Sequence, residues 1–182
     1  MLGRAKFGAA AARPRRRRRR PPAAASLPAR LCLAQLVDPA TGAVSATIPG
    51  DSEPVTALAL SPDGRVVYAA SRSLQVRAFD LSGSGSAAAA ADGAAAPPPR
   101  ELRAFRGHRA PVAAMAVHPS GGLLATASAD RSARVWDADG GFCTHALTGH
   151  AGVVLAVAFH PTELLLLTGG DDAQVRFRIL GF

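Results

Sequence analysis

The stretch GHRAPVAAMAVHPSGGLLATASADRSARVWD, residues 107–137, decides the reading of this chain. Gly107-His108 is followed by an apolar run, Val112–Val117, then a turn, His118-Pro119-Ser120-Gly121. A second apolar run at 123–127 leads into Ser128, Asp130 and Arg134-Val135-Trp136-Asp137. Weaker copies flank it. Gly149-His150 recurs 42 residues after Gly107-His108, while Phe177-Arg178 stands 41 residues after Trp136-Asp137 and Phe79-Asp80 stands 57 before it. The turn is echoed by Ser61-Pro62-Asp63-Gly64 and by His160-Pro161, with apolar runs at Val55–Leu60 and Val154–Phe159 before it and at 66–70 and 164–167 after it. A third segment alternates apolar and polar residues, as in Leu74-Gln75-Val76-Arg77 and Gln174-Val175-Arg176-Phe177, which suits a strand with one wetter face. Short strands punctuated by turns and repeated in register mark a modular β array.

A Gly-His followed by Ser-x-Asp-x-x-x-Arg-Val-Trp-Asp resembles the WD repeat, whose period is about 40–45 residues. The resemblance implies an all-β fold, a WD40-repeat β-propeller in which each repeat builds one blade, and a protein-interaction scaffold in place of an enzyme. Upstream, 31–37 and 43–48 read as two more strands joined through Asp38-Pro39-Ala40-Thr41-Gly42, a tight hairpin in which Gly42 supplies the turn. About three blades are then present over 31–182, and a ring closes with no fewer than about four. The expectation is an incomplete first propeller, a truncated or misannotated gene product whose exposed strand edges favour aggregation.

The irregular 57-residue step has a visible cause. Residues 82–99 carry Ser-Gly repeats, an alanine run and three prolines, a composition that cannot pack a core and reads as a flexible insertion. Its Ser-Gly-Ser-Gly is a poor phosphate loop, because no Lys-Ser/Thr follows it. Charge separates a second segment. The chain carries a formal net charge of +8 with 21 basic and 13 acidic residues, and ten of the basic ones fall at or before Arg30. Residues 31–182 are therefore nearly neutral, and 1–30 form a basic arm around Arg13, Arg15, Arg16, Arg17, Arg18, Arg19 and Arg20. Such a run repels itself into disorder and reads as a nuclear or nucleolar address or an RNA-phosphate contact. A transit peptide and a gene-model artefact remain open beside that reading, although scarce serine and flanking prolines weigh against the transit peptide. No apolar run approaches the roughly 20 residues of a membrane span. Cys32 and Cys143 stand far apart and give neither a disulfide framework nor metal spacing.

His108, Ser128 and Asp130 invite a catalytic reading. No nucleophile elbow or oxyanion-type glycine motif surrounds Ser128, however. The resemblance implies instead a structural tetrad of His108, Ser128, Asp130 and Trp136, in which a His–Asp pair is satisfied by a hydroxyl and an indole N–H. His118 and His160 precede prolines in turns, where polar residues belong, and the sequence alone gives no hint of what His145 meets. No His/Cys cluster is tight enough for zinc, and neither a cofactor nor a small-molecule substrate is expected. The flanking repeats are degenerate. In the first, Asp51 and Ser73 occupy the histidine and aspartate positions. In the third, His150 and Asp171 form a partial tetrad, with Gly169 replacing the serine and Phe177 the tryptophan.

Beyond the generic repeat, several segments resemble one family: Ile48-Pro49-Gly50-Asp51-Ser52-Glu53, Leu58-Ala59-Leu60-Ser61-Pro62-Asp63, Asp139-Gly140-Gly141-Phe142-Cys143-Thr144-His145 and Gly149-His150-Ala151-Gly152-Val153-Val154. They are similar to the N-terminal blades of the transducin-β-like WD proteins of the small-subunit processome, associated with U3 small nucleolar RNA. That resemblance implies a nucleolar scaffold in ribosome biogenesis and pre-rRNA processing. Its implied partners are other WD-repeat proteins of a large ribonucleoprotein complex, with U3 RNA and pre-rRNA held indirectly. The alternatives are a WD module of another complex, such as a ubiquitin-ligase substrate receptor or a signalling scaffold, and RNA binding through the arm alone. Arg100, Arg103, Arg106 and Arg109 form a modest basic cluster that reads first as a solvated face and second as a phosphate contact.

Overall fold

The computed structural model describes residues 34–37, 42, 44–48, 53–83 and 99–181. The basic arm, Cys32, Asp51 and most of the 82–99 insertion lie outside the described residues. The described chain is all-β, with strands in four antiparallel sheets taken in sequence order. A hairpin, β1 (Ala34–Val37) and β2 (Val44–Ile48), comes first, with Gly42 at φ 70° in its turn. A four-stranded sheet follows: β3 (Val55–Leu60), β4 (Val66–Ser71), β5 (Gln75–Asp80) and β6 (Arg100–Arg106). The second four-stranded sheet is β7 (Val112–Val117), β8 (Leu123–Ser128), β9 (Ala133–Asp137) and β10 (Cys143–Leu147). The last has three strands, β11 (Val154–Phe159), β12 (Leu165–Gly170) and β13 (Val175–Ile179). These are successive blades of an incomplete β-propeller. The innermost strands β3, β7 and β11 pack in series, as the inner wall of a propeller requires.

Local geometry repeats with the blades. Each inner strand opens with a register shift against its neighbour, at Val55/Ala57, Val112/Ala114 and Val154/Ala156. Each turn between the second and third strands places a non-glycine residue at positive φ: Leu74 at 67°, Arg131 at 64° and Ala173 at 58°. Side chains other than Gly rarely adopt that region, so its recurrence fixes the equivalence of the turns. Arg131 and Ala173 are 42 residues apart, not 41.

That single residue corrects the third repeat. Trp136 pairs with Leu124 in the second blade, and the position pairing with the equivalent Leu166 is Arg178. Phe177, expected at the tryptophan position, pairs with Leu167 and is 72% exposed. A slip of one residue in a strand moves a side chain to the opposite face.

The core lies between blades. The first and second pack through Tyr68, Val76, Phe105, Val112, Leu124 and Trp136. Here Phe105 stands 6.0 Å from Tyr68 and 5.8 Å from Trp136, both tilted toward edge-to-face contacts that aromatic quadrupoles favour. The second and third pack through Leu123, Ala125, Val135, Leu166 and Leu180. The hairpin covers the first blade through Ile48 against Val67 and Phe79. Beyond the third blade the outward face of β13 is open, with Val175, Phe177 and Ile179 73, 72 and 84% exposed.

Candidate functional site

The polar centre of the second blade is built by two strands, the turn between them and one loop. The loop between β6 and β7 carries His108, the centre of β8 carries Thr126, the β8–β9 turn carries Asp130 and β9 carries Trp136. His108 Nδ1 donates to Asp130 Oδ2 at 2.8 Å, and Thr126 Oγ1 donates to His108 Nε2 at 2.6 Å. Trp136 Nε1 in turn donates to Thr126 Oγ1 at 2.9 Å. One chain of hydrogen bonds thus runs from indole through hydroxyl and imidazole to carboxylate, and it assigns a neutral imidazole protonated on Nδ1. Asp130 accepts further bonds from the Arg109 N–H (3.0 Å), the Ser132 N–H (3.0 Å) and the Ser132 hydroxyl (2.6 Å).

The electrostatics agree with that proton placement. Burial pushes the His108 imidazole below its ordinary range, against the opposite pull of Asp130. Burial would raise the Asp130 carboxyl, but the Ser132 hydroxyl, the Arg109 N–H and His108 outweigh it and hold the carboxyl far below the usual range. The pair is neutral imidazole and carboxylate.

Ser128 is not part of this network. Its hydroxyl lies beside the Ala110 and Pro111 carbonyls at 2.9 and 3.1 Å and accepts the Asp130 N–H at 3.1 Å. It ties the β8–β9 turn to the loop before β7, and no bond joins it to His108. The hydroxyl of the tetrad is Thr126, two residues earlier and on the same strand face, a position the sequence reading missed. Alternation along β8 was the available signal, since Thr126 pairs with Arg134 in the row next to the Leu124–Trp136 pair.

The third blade repeats the arrangement with two more corrections. His150 Nδ1 donates to Asp172, at 3.0 Å from both carboxylate oxygens, and Thr168 Oγ1 donates to His150 Nε2 at 2.9 Å. The aspartate is therefore Asp172, not Asp171. Asp171 donates its backbone N–H to the Val153 carbonyl at 3.0 Å. The serine position belongs to Gly170, not Gly169: a Cβ there would sit 2.7 Å from Asp172 Oδ1 and 2.8 Å from His150 Nδ1. With Arg178 in place of the indole, Thr168 has no tryptophan partner. In the first blade Ala69 pairs with Arg77 as Thr126 does with Arg134, so the hydroxyl is absent. Ser73 stands where Asp130 does and bonds Ser71 at 2.6 Å, and Phe79 fills the indole position, 1% exposed.

The remaining histidines are separate. His118 Nδ1 accepts the Ser120 N–H at 3.1 Å, and its ring meets Phe159 edge-on at 5.2 Å. His160 Nδ1 accepts the Glu163 N–H at 3.1 Å in the β11–β12 turn. His145 lies near the Gly181 carbonyl at 3.3 Å. Among the described residues no group of three or more His, Cys, Asp or Glu side chains is placed to hold a metal, and no helix is long and apolar enough to cross a membrane. Of the basic cluster, Arg109 lends its N–H to Asp130, and Arg100, Arg103 and Arg106 lie on β6.

Comparison with known proteins matches residues 42–80, 99–137 and 141–177 to the family described as WD domain, G-beta repeat. Transducin beta-like protein 3 of Bos taurus is 38% identical over 111 residues, 60% of this chain and 12% of the relative. The Homo sapiens protein of that name is 39% identical over the same shares. A Lissencephaly-1 homolog of Monosiga brevicollis is 44% identical over 45 residues, 25% of this chain and 11% of its own length. The chain thus spans about an eighth of the length of the first two relatives.

Proposed function

The chain belongs to the WD-repeat family, and from that premise we propose that it is a non-catalytic scaffold segment serving ribosome biogenesis through the small-subunit processome. The observation that carries the scaffold reading is the structural use of the residues that could be cast as a catalytic set, His108, Ser128 and Asp130. His108, Asp130 and Trp136 are tied up with Thr126, and the Ser128 hydroxyl is engaged by backbone. A buried network with each donor and acceptor matched fixes a blade and leaves no activated nucleophile.

The assignment to the processome is supported by the 111-residue similarity to transducin beta-like protein 3 and by the Gly140-Gly141-Phe142-Cys143-Thr144-His145 run, where generic blades vary freely. On this reading other WD-repeat proteins of the ribonucleoprotein complex bind the blade rims, and U3 RNA and pre-rRNA are held mainly through the assembly. The protein then resides in the nucleus and nucleolus, with the basic arm at 1–30 as its address. The test is affinity purification of the product of the whole locus. U3 RNA recovered with other WD proteins supports the proposal. Ubiquitin-ligase or signalling partners without that RNA would overturn it and leave the blades in place. Deleting residues 1–30 tests the arm: a fluorescent fusion should lose nucleolar accumulation while retaining its protein partners.

A further inference from the structure

The rim opposite the His108–Asp130 network carries a groove of about 580 Å³ between the first and second blades, lined by the β3–β4 and β7–β8 turns and by Asp139 of the β9–β10 turn. Its volume falls within the range of about 300–1,000 Å³ usual for ligand sites. The lining is unusual in its chemistry. The ionisable side chains in it are Asp63, Asp139 and Tyr68, accompanied by the Ser61 and Ser120 hydroxyls.

Tyr68 is the member with most of its surface in the core. It is 3% exposed, but its hydroxyl is not enclosed, and the residue lines the groove, so an occupant can reach the hydroxyl. Burial, then the Asp139 carboxylate, push its ionisation upward, Arg103 opposes them, and Asp63 adds to the rise. Tyr68 and both carboxylates line the same groove. The Asp63 carboxylate takes the Ser61 hydroxyl and the Arg65 N–H on Oδ1, and Asp139 projects from an exposed turn. Arg103 acts on Tyr68 and Arg65 on Asp63 from beside the groove, but the lining itself holds two carboxylates, three hydroxyls and no cationic side chain.

We propose that this groove receives the cationic side chain of an arginine or lysine on a partner protein, with Asp139 and Asp63 pairing the charge and the Tyr68 hydroxyl accepting one of its N–H bonds. A guanidinium offers five donors in a rigid fork, which suits a lining whose charged groups are both carboxylates. The same two carboxylates repel a phosphate, which favours a protein partner over RNA in this groove. The inference goes beyond the scaffold reading and holds whichever assembly the scaffold serves.

The test is an NMR titration of the ¹⁵N-labelled 182-residue chain with N-acetyl-arginine methylamide and, in parallel, with the uncharged citrulline analogue. Saturable shifts at the amides of Asp63, Gly121 and Asp139 are expected with arginine, about tenfold weaker with citrulline, as a lost charge-assisted hydrogen bond predicts. Asp139→Asn, on an exposed turn, should weaken binding by a similar factor, and Tyr68→Phe, which keeps the ring in the core, by a smaller one. Absence of saturable shifts, equal binding of citrulline, or wild-type affinity in Asp139→Asn would each overturn the proposal. So would inorganic phosphate shifting the same amides.

Discussion

Thr126 Oγ1 lies 2.6 Å from His108 Nε2 and 2.9 Å from Trp136 Nε1, so a single hydroxyl joins the imidazole and the indole of the complete blade. All three side chains are buried. The hydroxyl is donor to one ring and acceptor from the other, a role no apolar residue of the same shape can take.

Replacing Thr126 with Val should therefore cost far more than its isosteric size suggests. Two buried nitrogens lose their partner, at about 1–3 kcal/mol each. Thr126→Ser keeps the hydroxyl and should cost about 1 kcal/mol, the worth of a buried methyl. Chemical denaturation measures both. The imidazole resonances of His108 should move in Thr126→Val and stay in place in Ser128→Ala, whose hydroxyl serves the backbone. Movement in the second variant alone would contradict the geometry.

Acid should weaken the blade in two stages. The folded state holds His108 below its ordinary range, so its contribution is complete above about pH 6.5. As pH falls below that value the unfolded chain takes up a proton that the folded chain refuses, and stability declines. Asp130 is held low in the fold, so its contribution is present above about pH 3.9 and is lost as pH falls further. Thermal melting between pH 7.5 and 5 should show a drop that is smaller in His108→Asn. Parallel curves for the two proteins would refute the first stage.

The 42-residue register makes a paired prediction in the third blade. Arg178→Trp places an indole opposite Leu166, within the row that serves Thr168, and should raise stability by about 1 kcal/mol, the net worth of one hydrogen bond. Phe177→Trp lies on the opposite face and should give no such gain. Restoring the serine by Gly170→Ser should instead destabilise by about 1–3 kcal/mol, because its Cβ falls 2.7 and 2.8 Å from two atoms already bonded to each other. Melting temperatures of the three variants decide the register.

The open face of β13 should drive self-association. Val175, Phe177 and Ile179 present adjacent apolar side chains on a strand with one unpaired edge. Phe177→Lys should lower the association seen by light scattering as concentration rises, with little change in melting temperature. Unchanged scattering would assign the association to another surface.

Much of this was legible in the chain. Val55–Leu60, Val112–Val117 and Val154–Phe159 read as strands from their apolar runs and form β3, β7 and β11 as printed in the sequence. The turns at Ser61, His118 and His160 were legible from their Pro and Gly residues. His108, Asp130, Trp136 and His150 were marked by the Gly-His and Trp-Asp punctuation. Thr126 was not, because a threonine within LLATAS looks like one more β-branched strand former. In the sequence Asp171 and Phe177 stand out ahead of Asp172 and Arg178, because adjacent acidic residues and a lone aromatic pull an alignment by one position.

The sequence by itself determined the repeating unit, its strand composition and the family, since turn chemistry and apolar alternation are local properties. Tertiary structure alone decided which hydroxyl bridges His108 and Trp136, which aspartate faces His150, and that Tyr68 ends in a groove between two blades. The physical reason is common to all three. A strand offers neighbouring residues to opposite faces, so partner choice depends on pairing across sheets and between blades, at distances along the chain that no local pattern reports.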